Sequence, residues 1–187
     1  MSKVCVFLAN GFEEIEALTV VDLLRRVKIE VNTISITGEQ YVTGAHQIIV
    51  KADELFEQVD FNKVDMLVLP GGMPGTRNLD AHKGLEQLLT KFQVEGKKIS
   101  AICAAPSVLG AKGLLEGKAA TCYPGFEGAL KGAFIKSEDV VVDGNIVTSK
   151  GMGTAIDFSL ELISALVDQE TAAKTAAAIQ YQHYNEY

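Results

Sequence analysis

A thiol at Cys103 stands between an apolar run, Ile99 to Ile102, and a helix-forming segment that opens at Pro106. A side chain on so sharp a strand-to-helix turn is pushed out of the sheet, and the turn needs small residues two positions to either side. Ala101 and Ala105 occupy those positions. The pattern is a nucleophile elbow with cysteine as the nucleophile. Backbone N–H groups opening the following helix favour thiolate over thiol, so the spacing predicts a depressed pKa for Cys103. Cys5 lies within an apolar strand pattern and Cys122 at a strand end, settings in which cysteine is a small hydrophobe.

Two further segments offer groups that a thiol could use. Glu13, Glu14 and Glu16 follow the first apolar run. Acids in a helix's first turn ordinarily serve its dipole, and Glu14 is assigned to such a solvated start. Glu16 lies one turn before Val20, beside the apolar face. Partial desolvation there raises a carboxyl pKa and makes the group available for proton exchange near pH 7. The segment Pro70-Gly71-Gly72-Met73-Pro74-Gly75 exposes backbone N–H groups without side-chain obstruction, which suits an oxyanion hole, although a plain turn explains the glycines equally well. No Lys-Ser/Thr follows, so it is not a Walker phosphate loop.

The elements that must position these residues alternate along the chain. Val4 to Leu8, Val31 to Ile36, Met66 to Leu69 and Ile99 to Ile102 read as buried strands. Ile15 to Val27 and Leu85 to Val94 read as helices. Tyr41-Val42 and Ile48 to Val50 predict a hairpin or edge excursion. Ala119 to Cys122 is a further strand, and Val140 to Val142 with Ile146 to Thr148 a hairpin closed by Asp143-Gly144-Asn145. Two helices follow, one spaced by Ile156, Leu160, Ile163 and Val167, the other the alanine-rich Glu170 to Ile179. This order predicts an α/β, flavodoxin-like, doubly wound domain over residues 1–187, with a mostly parallel sheet and helices on both faces. In such a sheet ligands collect at the carboxyl ends of the strands, where the three chemistry-bearing loops converge.

Composition bounds the partners. The 187 residues are 48% hydrophobic and carry a net charge of −7, with no cluster of Lys and Arg to neutralise phosphates. Nucleic acid and anionic membranes are therefore not expected partners. Three cysteines without a C-x-x-C pair support neither a disulfide framework nor a zinc knuckle. The first apolar run is too brief for a signal peptide, and a cytoplasmic location is expected.

Four segments together resemble the ThiJ/PfpI superfamily: Leu8 to Glu16, Val68 to Gly72, Ala101 to Pro106 and Thr148 to Ala155. Within it the chain looks like the branch of the parkinsonism-associated protein deglycase, with a tyrosine-rich end, Tyr181 to Tyr187, similar to bacterial members. The resemblance implies Cys103 as nucleophile, Glu16 as the acid contacting its sulfur, and the N–H groups of Gly72 and Ala104 as the oxyanion hole, with Gly71 and Tyr123 lining the site. Asp22 and Arg26 match positions near the family's dimer interface and anion-accepting site. His46 aligns with an arginine directed toward the partner subunit's site, so the resemblance implies a homodimer. Tyr123 stands where human-type members place a histidine, which removes a Cys–His dyad. Ala104 replaces the histidine that follows the cysteine in the peptidase branch, which argues against proteolysis.

A thiol, one carboxyl and oxyanion donors, with no cofactor or metal expected, suffice to add thiolate to the aldehyde of a 2-oxoaldehyde such as methylglyoxal. Moving a proton between adjacent carbons then leads to a 2-hydroxy acid. The same steps on a glycated protein or nucleotide amount to deglycation, as the resemblance implies. The competing expectation is a redox-sensing stress protein or chaperone that works through oxidation of the same cysteine.

Overall fold

The structure, a computed structural model, describes residues 2–184; Met1 and residues 185–187, the close of the tyrosine-rich end, lie outside the described residues. In chain order the elements are β1 (Lys3–Leu8), α1 (Glu14–Arg26), β2 (Glu30–Ser35), β3 (Tyr41–Thr43), β4 (Ile49–Lys51), β5 (Glu54–Leu55) and β6 (Met66–Leu69). Then come α2 (Gly75–Ala81), α3 (Lys83–Val94), β7 (Lys98–Ile102), α4 (Pro106–Ala111), β8 (Ala119–Ala120), β9 (Phe134–Ile135), β10 (Val140–Asp143), β11 (Ile146–Ser149), α5 (Ala155–Leu166) and α6 (Gln169–Ala178).

Seven strands form the main sheet in the order β10-β11-β7-β6-β1-β2-β5. Every neighbouring pair is parallel except β10 with β11, the hairpin whose turn reads from the sequence as Asp143-Gly144-Asn145. The predicted flavodoxin-like class is the one observed. Both faces are covered, and this explains why the central strands read as unbroken apolar runs. Along β1, Val4, Val6 and Leu8 face a core shared with α1, α5 and α6, while Cys5 and Phe7 face one shared with α3 and α4. Helix α1 buries Ala17, Val20, Val21 and Leu24 and packs on α5.

The expected hairpin over Tyr41-Val42 and Ile48 to Val50 forms as β3 and β4, an antiparallel pair outside the main sheet. Two details depart from the sequence reading. The strand expected over Ala119 to Cys122 covers only Ala119–Ala120 and pairs with β9 outside the main sheet. Helix α2 and the two-residue strands β5 and β9 were not expected. Elements so short carry too few residues to show a period.

Candidate active site

Because β1, β6, β7 and β11 run parallel, their carboxyl ends deliver the loops 9–13, 70–75, 103–106 and 150–154 to one end of the sheet. Cys103 sits directly after β7 with φ +64, a left-handed conformation that a non-glycine residue adopts at a cost of about 1–3 kcal/mol. Its backbone is held in place: its N–H donates to the Ser149 carbonyl at 2.9 Å, and its own carbonyl accepts the Tyr123 N–H at 2.8 Å. The elbow is real, and it is cross-braced by β11 and by the segment after β8.

Glu16, on the first turn of α1, is 1% exposed and reaches the same spot. Its Oε2 accepts the Gly71 N–H at 2.8 Å, and its carboxyl is hydrogen-bonded to the Cys103 thiol. Glycine is required at 71 by proximity, since a β-carbon there would stand 2.6 Å from Cys103 Cβ, 2.8 Å from Glu16 Oε2 and 3.0 Å from the sulfur. Gly72 has φ +87, and a β-carbon there would collide with the Glu13 N–H and the Gly11 carbonyl. The acid loop and the glycine loop are thus zipped together, with Glu13 N–H on the Gly71 carbonyl at 2.9 Å and Gly75 N–H on the Gly11 carbonyl at 3.1 Å. The N–H groups of Gly72 and Ala104 both point at the Cys103 sulfur.

Burial dominates the protonation of this pair. It pushes the Glu16 carboxyl up to about 7, against the lowering effect of the Gly71 N–H and the Cys103 thiol. It also pushes the Cys103 thiol up to about 12, reinforced by the charge and hydrogen bond of Glu16 and only partly offset by the Ala104 and Gly72 N–H groups. The depressed thiol pKa predicted from the helix start is therefore corrected: desolvation and a neighbouring carboxylate outweigh the backbone dipoles. Two anions side by side in a dry site are disfavoured, so around neutrality the thiol keeps its proton while the carboxyl gains or loses one. Cys103 still differs from the other thiols in access, because it is partly exposed while Cys5 and Cys122 are buried, with thiols pushed up by burial to about 12 and about 11.

Other predicted site residues are placed as follows. The Tyr123 ring, 50% exposed, stands at the mouth and packs against Gly151. Gly151 was not singled out from the sequence, though it lies in a matched segment; a β-carbon there would be 3.3 Å from the Tyr123 ring and 3.9 Å from Glu16 Oε1. Arg26 is not brought to the site. It lies ten residues along α1 from Glu16, about 15 Å at the helical rise, and pairs with Asp22 at 2.6 Å on the surface. His46 does not reach Cys103 within the chain either. Its Nδ1 lies 2.9 Å from Glu14 Oε2 and 3.6 Å from Glu13 Oε1. His82 has a structural place, accepting the Leu85 N–H to cap α3.

Glu14 is the second correction. It is buried, not solvated: Oε1 accepts the backbone N–H of His46 at 2.7 Å and of Ile48 at 3.4 Å, clamping the β3–β4 hairpin onto α1. Burial opposes its ionisation, but the hydrogen bonds from His46 and Ile48 win and its pKa falls. Reciprocally, the bond to Glu14 and the charges of Glu13 and Glu14 raise the His46 pKa. Glu13, Glu14 and His46 bring potential ligand atoms within 4.8 Å of one another, a grouping not foreseen in the sequence. The Glu14 oxygens are already occupied by this clamp.

The model of the DJ-1/PfpI family matches residues 2–165. The chain belongs to the DJ-1/PfpI family. The DJ-1/PfpI relatives include protein DJ-1 homolog B of Arabidopsis thaliana, 38% identical over 95% of this chain and 41% of that protein. Another is the deglycase PfpI of Pyrococcus furiosus, 32% identical over 88% of this chain and 99% of that protein. The chain spans less than half the length of the two plant relatives it matches. Among solved structures, DJ-1 of Toxoplasma gondii, in an oxidized form, superposes with a TM-score of 0.94 at 38% identity, covering 97% of this chain and 100% of that one.

Proposed function

We propose that this DJ-1/PfpI protein is a cysteine-dependent, cofactor-free glyoxalase or deglycase acting on 2-oxoaldehydes such as methylglyoxal, or on their adducts with proteins. The observation that carries the reading is the contact of a partly exposed thiol with a buried carboxyl pushed up to about 7, under two backbone donors. Kinship with a relative named a deglycase supports it.

In this reading the Cys103 sulfur, its proton taken by Glu16, adds to the aldehyde carbon. The oxygen that becomes negative accepts hydrogen bonds from the Gly72 and Ala104 N–H groups and is then protonated, giving a hemithioacetal. The Glu16 carboxylate removes the proton from the former aldehyde carbon to form an enediol and returns it to the neighbouring carbon, leaving a thioester. Water hydrolyses the thioester to a 2-hydroxy acid and restores the thiol. A carboxyl near 7 suits this double duty, because neither giving nor taking a proton is strongly uphill at neutral pH. Gly71 positions the carboxyl, and Tyr123 with Gly151 shapes the entrance.

The test is lactate formation from methylglyoxal by the purified protein without added cofactor. Wild type should turn over, while Cys103→Ala and Glu16→Gln should be at or near background; equal rates in all three would overturn the reading. A second reading, sensing of peroxide, is favoured by Cys103 being the one partly exposed thiol of three. It predicts a mass gain confined to Cys103 and no lactate.

We also propose a homodimer. Ile15 and Leu18 on the outer face of α1 are exposed, and the Glu14 clamp sets the exposed Ile48 beside them, an apolar patch suited to a second copy. No helix among the described residues is long and apolar enough to cross a membrane. Three unpaired cysteines favour a reducing compartment such as the cytoplasm.

A further inference from the structure

The loop between β11 and α5 closes one side of the Cys103–Glu16 pair without an apolar anchor. Gly151 is buried but has no side chain to keep it there, and Met152 and Gly153 after it are exposed. Its backbone nevertheless stands close to the carboxyl, since a β-carbon on Gly151 would lie 3.9 Å from Glu16 Oε1.

A pair of hydroxyls holds Gly151 in. Thr154 Oγ1 accepts the Gly151 N–H at 3.2 Å and lies 2.6 Å from Ser149 Oγ, which donates to the Asp139 carbonyl at 2.8 Å. The protons run one way through this chain: Ser149 gives its own to Asp139, so its oxygen accepts the Thr154 O–H, and the Thr154 oxygen accepts the Gly151 N–H. Ser149 is fully buried, and its carbonyl is the one that accepts the Cys103 N–H at 2.9 Å. One residue therefore braces the elbow through its main chain and the loop through its side chain.

The place of Thr154 in the sequence makes this use of its hydroxyl unusual. Thr154 is the N-cap of α5, where a threonine oxygen ordinarily accepts an N–H of the helix's first turn, a bond contributing about 1 kcal/mol. The Thr154 side chain makes no such cap bond. It turns back to Ser149 and Gly151 instead, and a local preference set aside beside a reactive pair points to function.

We propose that Thr154 is a positioning residue for the Cys103–Glu16 pair, its hydroxyl, backed by Ser149, pinning Gly151 against the Glu16 carboxyl and keeping water from it. Without that hydroxyl the loop lifts, water reaches Oε1, and the burial that pushes the carboxyl up to about 7 is relaxed. The titratable groups acting on Glu16 are Cys103, through its hydrogen bond, and Glu13, through its charge; both lie on other loops. The consequence for turnover rests on the glyoxalase reading, whereas the consequence for Glu16 does not.

The experiment is a carbon-13 NMR titration of the Glu16 carboxyl in the full chain, its signal identified by its loss in Glu16→Gln. Wild type is compared with Thr154→Val, which keeps the shape and removes the hydroxyl, and with Thr154→Ser, which keeps the hydroxyl. The midpoint should fall by about 1 pH unit or more in Thr154→Val, toward the ordinary 4.5, and return to the wild-type value in Thr154→Ser. Lactate formation from methylglyoxal should fall about tenfold in kcat in Thr154→Val, with KM little changed, and recover in Thr154→Ser. An unmoved midpoint in folded Thr154→Val, or an equal fall in Thr154→Ser, would overturn the proposal. If Thr154→Val does not fold, Thr154→Ala decides by the same titration. Absence of lactate in the wild type would sink the glyoxalase reading alone, and the midpoints would still decide the role of Thr154.

Discussion

The Gly71 N–H donates to Glu16 Oε2 at 2.8 Å while the α-carbon of the same glycine lies against Cys103, so one residue both fixes the carboxyl and leaves room for the sulfur. Gly71→Ala should therefore push the elbow and the carboxyl apart, costing about 1–3 kcal/mol of stability and about tenfold or more in methylglyoxal turnover, since small displacements of reacting groups are heavily penalised. Turnover together with circular dichroism checks this, and a fully active Gly71→Ala would show that the carboxyl need not sit where it does.

Glu16→Gln should lower turnover by about 10² or more, the scale of a positioned acid–base group. In the wild type, kcat/KM should climb as pH rises through about 7, as Glu16 becomes the carboxylate base. Steady-state rates between pH 5.5 and 8.5 decide the matter, with a flat profile as the contrary result.

Stability should move the opposite way. Glu16 has a folded pKa of about 7, above its ordinary value of 4.5, so between these values the folded chain holds a proton that the unfolded chain has released. Stability from this group falls across that window as pH rises, by about 3 kcal/mol in order of magnitude. Glu16→Gln removes this dependence, so the variant should be the more stable protein at pH 8 and gain little at pH 4. Urea denaturation at the two pH values provides the measurement.

Glu14→Gln should leave the chemistry largely alone and loosen the hairpin, costing about 1–2 kcal/mol as charge-assisted bonds to His46 and Ile48 become neutral ones. The raised His46 pKa sets the pH sense. The protonated pairing with Glu14 contributes in full below the ordinary histidine value and is lost as pH rises through the higher folded one. Protection factors of the amides of residues 44–50, after correction for the intrinsic pH dependence of exchange, should fall across that rise in wild type and stay level in His46→Gln.

Iodoacetamide should label Cys103 alone. The reason is access, since Cys5 and Cys122 are buried and their thiols, like that of Cys103, are pushed upward in pKa. Peptide mass analysis after brief labelling checks this, and comparable labelling of Cys122 would count against it.

What the sequence made legible was periodic or local. The buried strands, the helices of three turns or more and the elbow each declare themselves within a dozen neighbouring residues. Glu14 and Glu16 show where this ends. Two residues apart on a helix, they point about 160° away from each other. Glu16 beside the apolar stripe could be recognised as inward-facing. Glu14 is covered by a hairpin about thirty residues further on, and nothing near it signals that cover. The thiol pKa escapes the sequence for a related reason: the helix start is visible there, but the depth of burial and the closeness of Glu16 arise only once four loops meet. Arg26 could be matched by position, yet only the length of α1 shows how far from the sulfur it lies.

The left-handed backbone at Cys103 sets foldability and chemistry against each other at a single position. A chain selected only to fold would place glycine at 103, relieving the strain and keeping the bonds to Ser149 and Tyr123, which use main-chain atoms alone. Cys103→Gly is therefore expected to be a sturdier and silent protein, and Cys103→Ala a silent one that keeps the strain. The thiol occupies a turn that the fold alone would give to glycine.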